Sequence, residues 1–100
     1  MIRPDYVKLA ELKPGERPYK GYHAPLERGY VRLMASRLDK EGMVVAVNYY
    51  GRVDINGKFI ELNRVNEKRQ DIGEFEADLK SFSEMLEKSG MKIFVEEIAG

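Results

Sequence analysis

Two stretches of the chain share one order of residues. Residues 33–47 and 82–95 each pass from helix-forming residues through a charged turn and a Gly-Met step into a β-branched run. That order predicts helix, glycine cap and strand. The second copy is the sharper one. Ile72, Phe75, Leu79, Phe82 and Leu86 recur at spacings of three and four, the stripe of an amphipathic helix on a sheet, and Asp71 with Glu74 resembles a capping box before it. Gly90 ends this helix, and residues 91–98 predict a last strand. In the first copy Leu26, Tyr30, Leu33, Met34 and Leu38 keep a similar spacing after Pro25, which suits a first helical position. Residues 26–41 are therefore read as a helix, with Tyr30 to Leu38 as a strand the alternative.

Between the copies the period changes from helical to alternating. Met43, Val45, Val47, Tyr49, Val53 and Ile55 form one apolar face of a strand, and Asn48, Tyr50, Arg52 and Asp54 the other. Asn56-Gly57 predicts a two-residue hairpin, which sets Val53 opposite Ile60 and Arg52 opposite Glu61. The returning strand covers residues 58–65, and Asn66-Glu67-Lys68-Arg69-Gln70 reads as a polar connector. Near the start, Val7 and Leu9 give a strand over residues 6–12, stopped by Lys13-Pro14-Gly15, and residues 16–24 read as irregular chain. The sum is a single α+β domain over residues 1–100 with a ferredoxin-like split βαββαβ order: a four-stranded antiparallel sheet and two helices on one face. With Tyr30 to Leu38 as a strand, the fold becomes a β-meander followed by helix and strand.

Composition narrows the chemistry. The chain has no Cys and one His, so thiolate chemistry, disulfides and a histidine metal centre are not expected, and neither is a cofactor. Thr and Trp are absent and Gln occurs once amid abundant Lys, Arg and Glu, a thermophile-like skew. No apolar run approaches the ~20 residues of a membrane span. The first residues lack the apolar core of a signal peptide, so a cytoplasmic location is expected. Net charge is zero, but unevenly spread: eight basic against four acidic residues up to Arg37, then nine against thirteen. A polyanionic partner would meet the early half.

Two sets of residues stand out as candidate sites. The first is the basic, tyrosine-bearing segment Lys13, Arg17, Tyr19, Lys20, Tyr22 and His23, continued by Arg28 and Arg32. Cations for phosphates and rings for stacking suit a nucleic acid or another phosphate-bearing ligand, although tyrosines beside prolines also commonly pack a loop onto a domain edge. The second is the sheet face expected to lack helices, carrying Val44, Ala46, Asn48, Tyr50, Arg52, Phe59 and Phe94. A semi-apolar face of this kind suits pairing of two copies as a homodimer, with a small-molecule site or an enzyme's active site enclosed between them. A third possibility is an assembly subunit that binds only protein. There is no glycine-rich phosphate loop, nucleophile elbow or metal-ligand spacing, so no catalytic residue is assigned and binding is favoured over catalysis.

Overall fold

A five-stranded antiparallel sheet carries the molecule, in place of the four-stranded sheet expected. The computed structural model describes residues 3–99. Its elements are α1 (Tyr6–Leu9), β1 (Arg17–Pro25), β2 (Tyr30–Leu38), β3 (Val44–Val53), β4 (Phe59–Gln70), α2 (Ile72–Lys88) and β5 (Phe94–Glu97), with one 3-10 turn at Glu27–Gly29. The strand order is β4-β3-β2-β1-β5. The ferredoxin-like arrangement is therefore overturned. Residues expected to form the first helix are β2, the segment read as irregular is β1, and the weak first strand is the short helix α1. The meander alternative places β2 correctly but still leaves out β1.

The reason for the misreading lies in β2. Val31, Leu33 and Ala35 are buried in one cluster with Tyr6, Leu9 and Tyr49, whereas Met34 joins Tyr22, Val44, Ala46, Phe75 and Leu79 in another. A strand buried on both faces loses the period of two and reads as a continuous apolar run, within which helical spacings arise by chance. α1 lies over one face of the sheet and α2 over the other. Helix formation across residues 26–30 is also blocked locally, because Arg28 and Gly29 both take left-handed φ values of 62° and 78°. Leu26 N–H then bonds the Tyr30 carbonyl at 2.7 Å, closing the β1–β2 hairpin.

Of the two Gly-Met steps, Gly90-Met91 does cap α2, with the Met91 N–H bonding the Leu86 carbonyl at 3.0 Å. Gly42-Met43 follows no helix and belongs to a hairpin turn that recurs at Gly57. Asp39-Lys40-Glu41-Gly42 and Asp54-Ile55-Asn56-Gly57 each close a hairpin in the same way. The Gly N–H donates to the Asp carbonyl, at 3.0 Å and 2.9 Å, and the Asp carboxylate accepts two further backbone N–H groups. Gly42 and Gly57 sit at φ of 78° and 81°, as the bulge residue of such a turn requires. The Asn56-Gly57 loop is thus one residue longer than expected. Arg52 does face Glu61, but Val53 faces Phe59, and Ile55 is fully exposed at the tip.

β4 continues through the expected connector, since Asn66 to Gln70 pair with Asn48 to Val44. It is an edge strand whose residues up to Arg69 are all exposed or half-buried. α2 forms where its spacing predicts, with Asp71 capping the Glu74 N–H at 2.8 Å. Among the described residues no helix is long and apolar enough to cross a membrane.

Candidate functional site

Because residues 17–25 form a strand, their side chains divide between its two faces, alternating from Gly21 on after an irregularity in the pairing between Pro18 and Gly21. Tyr19 and Lys20 turn to α2. The Tyr19 hydroxyl donates to Glu76, and Lys20 Nζ lies 2.8 Å from the same carboxylate. Burial, then that carboxylate, pushes the Tyr19 pKa up to about 12. Tyr22 is buried on this face, its ring 5.4 Å from Phe82. His23 takes the opposite face, between Tyr6 and Phe94. Lys13 and Arg17 are exposed at one end of the sheet and Arg28 at the hairpin of the other. The basic tyrosine-rich segment is therefore not one binding surface.

The second set also divides. Val44 and Ala46 are 0% and 5% exposed beneath α2, so the face expected to be bare is covered there. Asn48 lies at the helix margin with its Nδ2 2.8 Å from Asn66 Oδ1, Tyr50 is 42% exposed, and Arg52 pairs with Glu61 at 3.2 Å. Phe59 and Phe94 belong to the other face, the first packing on the α1 cluster and the second stacked on His23 at 4.8 Å.

What the fold does bring together is a cleft of about 230 Å³ between α2 and the β2–β4 part of the sheet. Its floor is Tyr22, Met34, Ala46, Phe75, Leu79 and Phe82, and its polar lining is Arg32, Asn48, Lys68, Gln70 and Asp78. Tyr22, Arg32, Ala46 and Asn48 come from the two sets read in the sequence. The remainder depends on how α2 crosses the sheet, which no local spacing encodes. The nearest signal was Phe82, assigned to the helix stripe. The Arg32 guanidinium carbon sits 4.8 Å from the Phe82 ring centre and 5.9 Å from that of Tyr50. Burial raises the Tyr22 hydroxyl's pKa against the pull of Arg32 beside it.

Arg32 is distinguished by what it lacks. Among the described residues four basic residues are buried or half-buried: Lys20, Arg32, Arg37 and Arg52. Lys20, Arg37 and Arg52 hold carboxylates. Arg32 pairs with none; it lies beside the Tyr22 hydroxyl and lines the cleft. A half-buried guanidinium braced by rings is a ready site for an anionic oxygen.

The opposite face holds the one histidine. Tyr6 Oη and His23 Nδ1 are 2.6 Å apart. Burial lowers the His23 pKa, Glu96 opposing and Arg3 adding to the shift. The folded chain therefore resists taking a proton that the unfolded chain accepts below about pH 6.5. Stability should be constant above that pH, fall as the pH drops from there to the folded pKa, and then level off. An NMR titration of the imidazole, with denaturation curves between pH 5 and 7, checks this; a folded-state pKa at or above 6.5 would overturn it. Among the described residues no three His, Asp or Glu side chains are grouped to hold a metal ion.

No family model, curated protein or solved structure matches the chain.

Proposed function

We propose that this protein is a small binding module whose α2–sheet cleft takes a phosphate-bearing ligand of about mononucleotide size. The phosphate meets Arg32, and a flat ring lies over the apolar floor. The observation that carries this reading is Arg32, the one half-buried cation among the described residues with no carboxylate partner, held between two aromatic rings at the mouth of an apolar cleft. Lys68 adds a second positive group at the rim, partly engaged by Asp78 at 3.4 Å. A long nucleic acid is the weaker reading. It would need a basic track, and Lys13, Arg17, Arg28 and Arg32 are scattered over the ends and faces of the sheet. Face-to-face pairing of two bare sheets is disfavoured too, since α2 lies over Val44 and Ala46.

Titration with cytidine and adenosine monophosphates, followed by amide NMR shifts, tests the reading. The expected result is saturable shifts centred on Ala46, Asn48 and Phe82, weakened by salt. Arg32→Gln should lower affinity about 10- to 100-fold, the worth of a hydrogen bond to a charged group. Arg32→Lys should recover only part, because an ammonium loses the planar fork and the stacking. No shifts at millimolar nucleotide would overturn the proposal, and tighter binding of a single-stranded RNA with Arg32→Gln unaffected would favour the nucleic-acid reading away from the cleft.

A further inference from the structure

Gln70, the chain's only glutamine, ends β4 and is 6% exposed although polar. Its Nε2 donates to Asp78 Oδ2 at 2.6 Å. The Gln70 bond, and after it Lys68, holds the Asp78 carboxyl below the usual carboxylate range, so the group is ionised and can only accept. The carboxylate thereby fixes which end of the amide is which: nitrogen toward Asp78, oxygen away from it. That oxygen accepts no hydrogen bond from the described residues and is not sealed from solvent, and Gln70 lines the cleft. An acceptor on a side chain this deeply buried is costly to leave empty when a bound ring displaces water from it.

We infer that Gln70 selects the ligand: its Oε1 receives an N–H of the bound ring, so the cleft prefers phosphate-bearing ligands whose ring carries an amino group. This rests on the phosphate-and-ring reading of the cleft. The same cleft then offers a cation for the phosphate at Arg32 and an oriented acceptor for the amine at Gln70. Asp78 is a positioning residue here, acting through the amide without touching the ring. A ring bearing only acceptors on that edge would face the Gln70 oxygen unpaired, a loss of the kind that makes polar pockets discriminating.

The test compares cytidine monophosphate and adenosine monophosphate with their deamino analogues, in which a hydrogen replaces the ring amino group. The analogues should bind about three- to tenfold more weakly, as expected for one neutral hydrogen bond. Gln70→Met should remove that difference. Asp78→Asn, at an exposed position, should shrink it, because the Gln70 amide can then turn either way. Equal binding of each parent and its analogue by the native chain would overturn the selection while leaving the phosphate reading in place. Binding by none of the four would overturn both.

Discussion

Replacing Arg37 with Met is expected to lower stability by about 3–5 kcal/mol, the cost of removing one partner from a buried ion pair. Arg37 is 3% exposed in β2. Its Nη1 donates to the Ala10 carbonyl at 2.9 Å and its Nη2 to Glu67 at 3.1 Å. Its Nε lies 2.7 Å from Glu16 Oε1, at an angle that makes this an ion pair and not a hydrogen bond. One side chain thus joins the end of α1, the segment leading into β1, and β4. Removing it leaves the Glu16 carboxylate, itself only 10% exposed, with the Lys13 N–H at 3.0 Å but no counter-charge, and orphans a carbonyl, while Glu67 can turn to water. A domain of this size is stable by about 5–15 kcal/mol in all, so the loss should be large in a urea or guanidinium titration. Arg37→Met with Glu16→Met should recover part of it, because an apolar pair avoids the unpaired charge. A single variant within about 1 kcal/mol of the parent would show that Glu16 finds another partner or water.

Legibility in the sequence followed exposure. α2 has one wet face, so its three- and four-residue steps were readable, and the alternation of β3 survives because its polar residues cluster at Asn48, Tyr50 and Arg52. β2 is covered by α1 on one side and α2 on the other, and its pattern imitates a helix. β1 was hidden for a different reason. Pro18 and Gly21 read as breaks and Pro25 as a helix start, yet the prolines lie near the strand's ends and Gly21 gives room to Tyr6. The last part of β4 looked like a connector because residues 66–69 are all exposed; its order comes from pairing with β3, and Arg69 adds ion pairs to Asp39 at 2.8 Å and Glu41 at 2.9 Å. These couple the end of β4 to the first Asp-x-x-Gly turn, and proximity of that kind appears only once the register is known.

The site was half legible for the same reason. Arg32, Tyr22 and Asn48 were singled out by residue type, but in two sets that do not correspond to surfaces. Alternation along β1 sends Tyr22 and His23 to opposite faces, so one set splits, and the even face shared by β2 and β3 joins Arg32 to Asn48 across the division. Gln70 and Asp78 carry no signal alone. Their chemistry arises because the end of β4 passes beneath the second turn of α2.

Gly21→Val is the other substitution with a large expected effect, about 3 kcal/mol, the upper part of the range for overpacking. A Cβ at Gly21 would lie 2.6 Å from Tyr6 Cδ1 and 2.9 Å from Cε1 and Cγ. The obstacle is a rigid ring, 3% exposed, that cannot yield as the tip of a flexible chain would. Gly21 is therefore required for close approach, with no demand from its backbone angles. Displacing the ring lifts α1 from the sheet and breaks the Tyr6–His23 hydrogen bond, which adds a second readout. With its surroundings opened, His23 should titrate closer to the ordinary histidine value, and the loss of stability below pH 6.5 should shrink. Tyr6→Leu in the same chain should cost less than the sum of the two single changes, since the clash disappears with the ring. Strict additivity, or a Gly21→Val variant with an unchanged His23 titration, would place the effect elsewhere than at this contact.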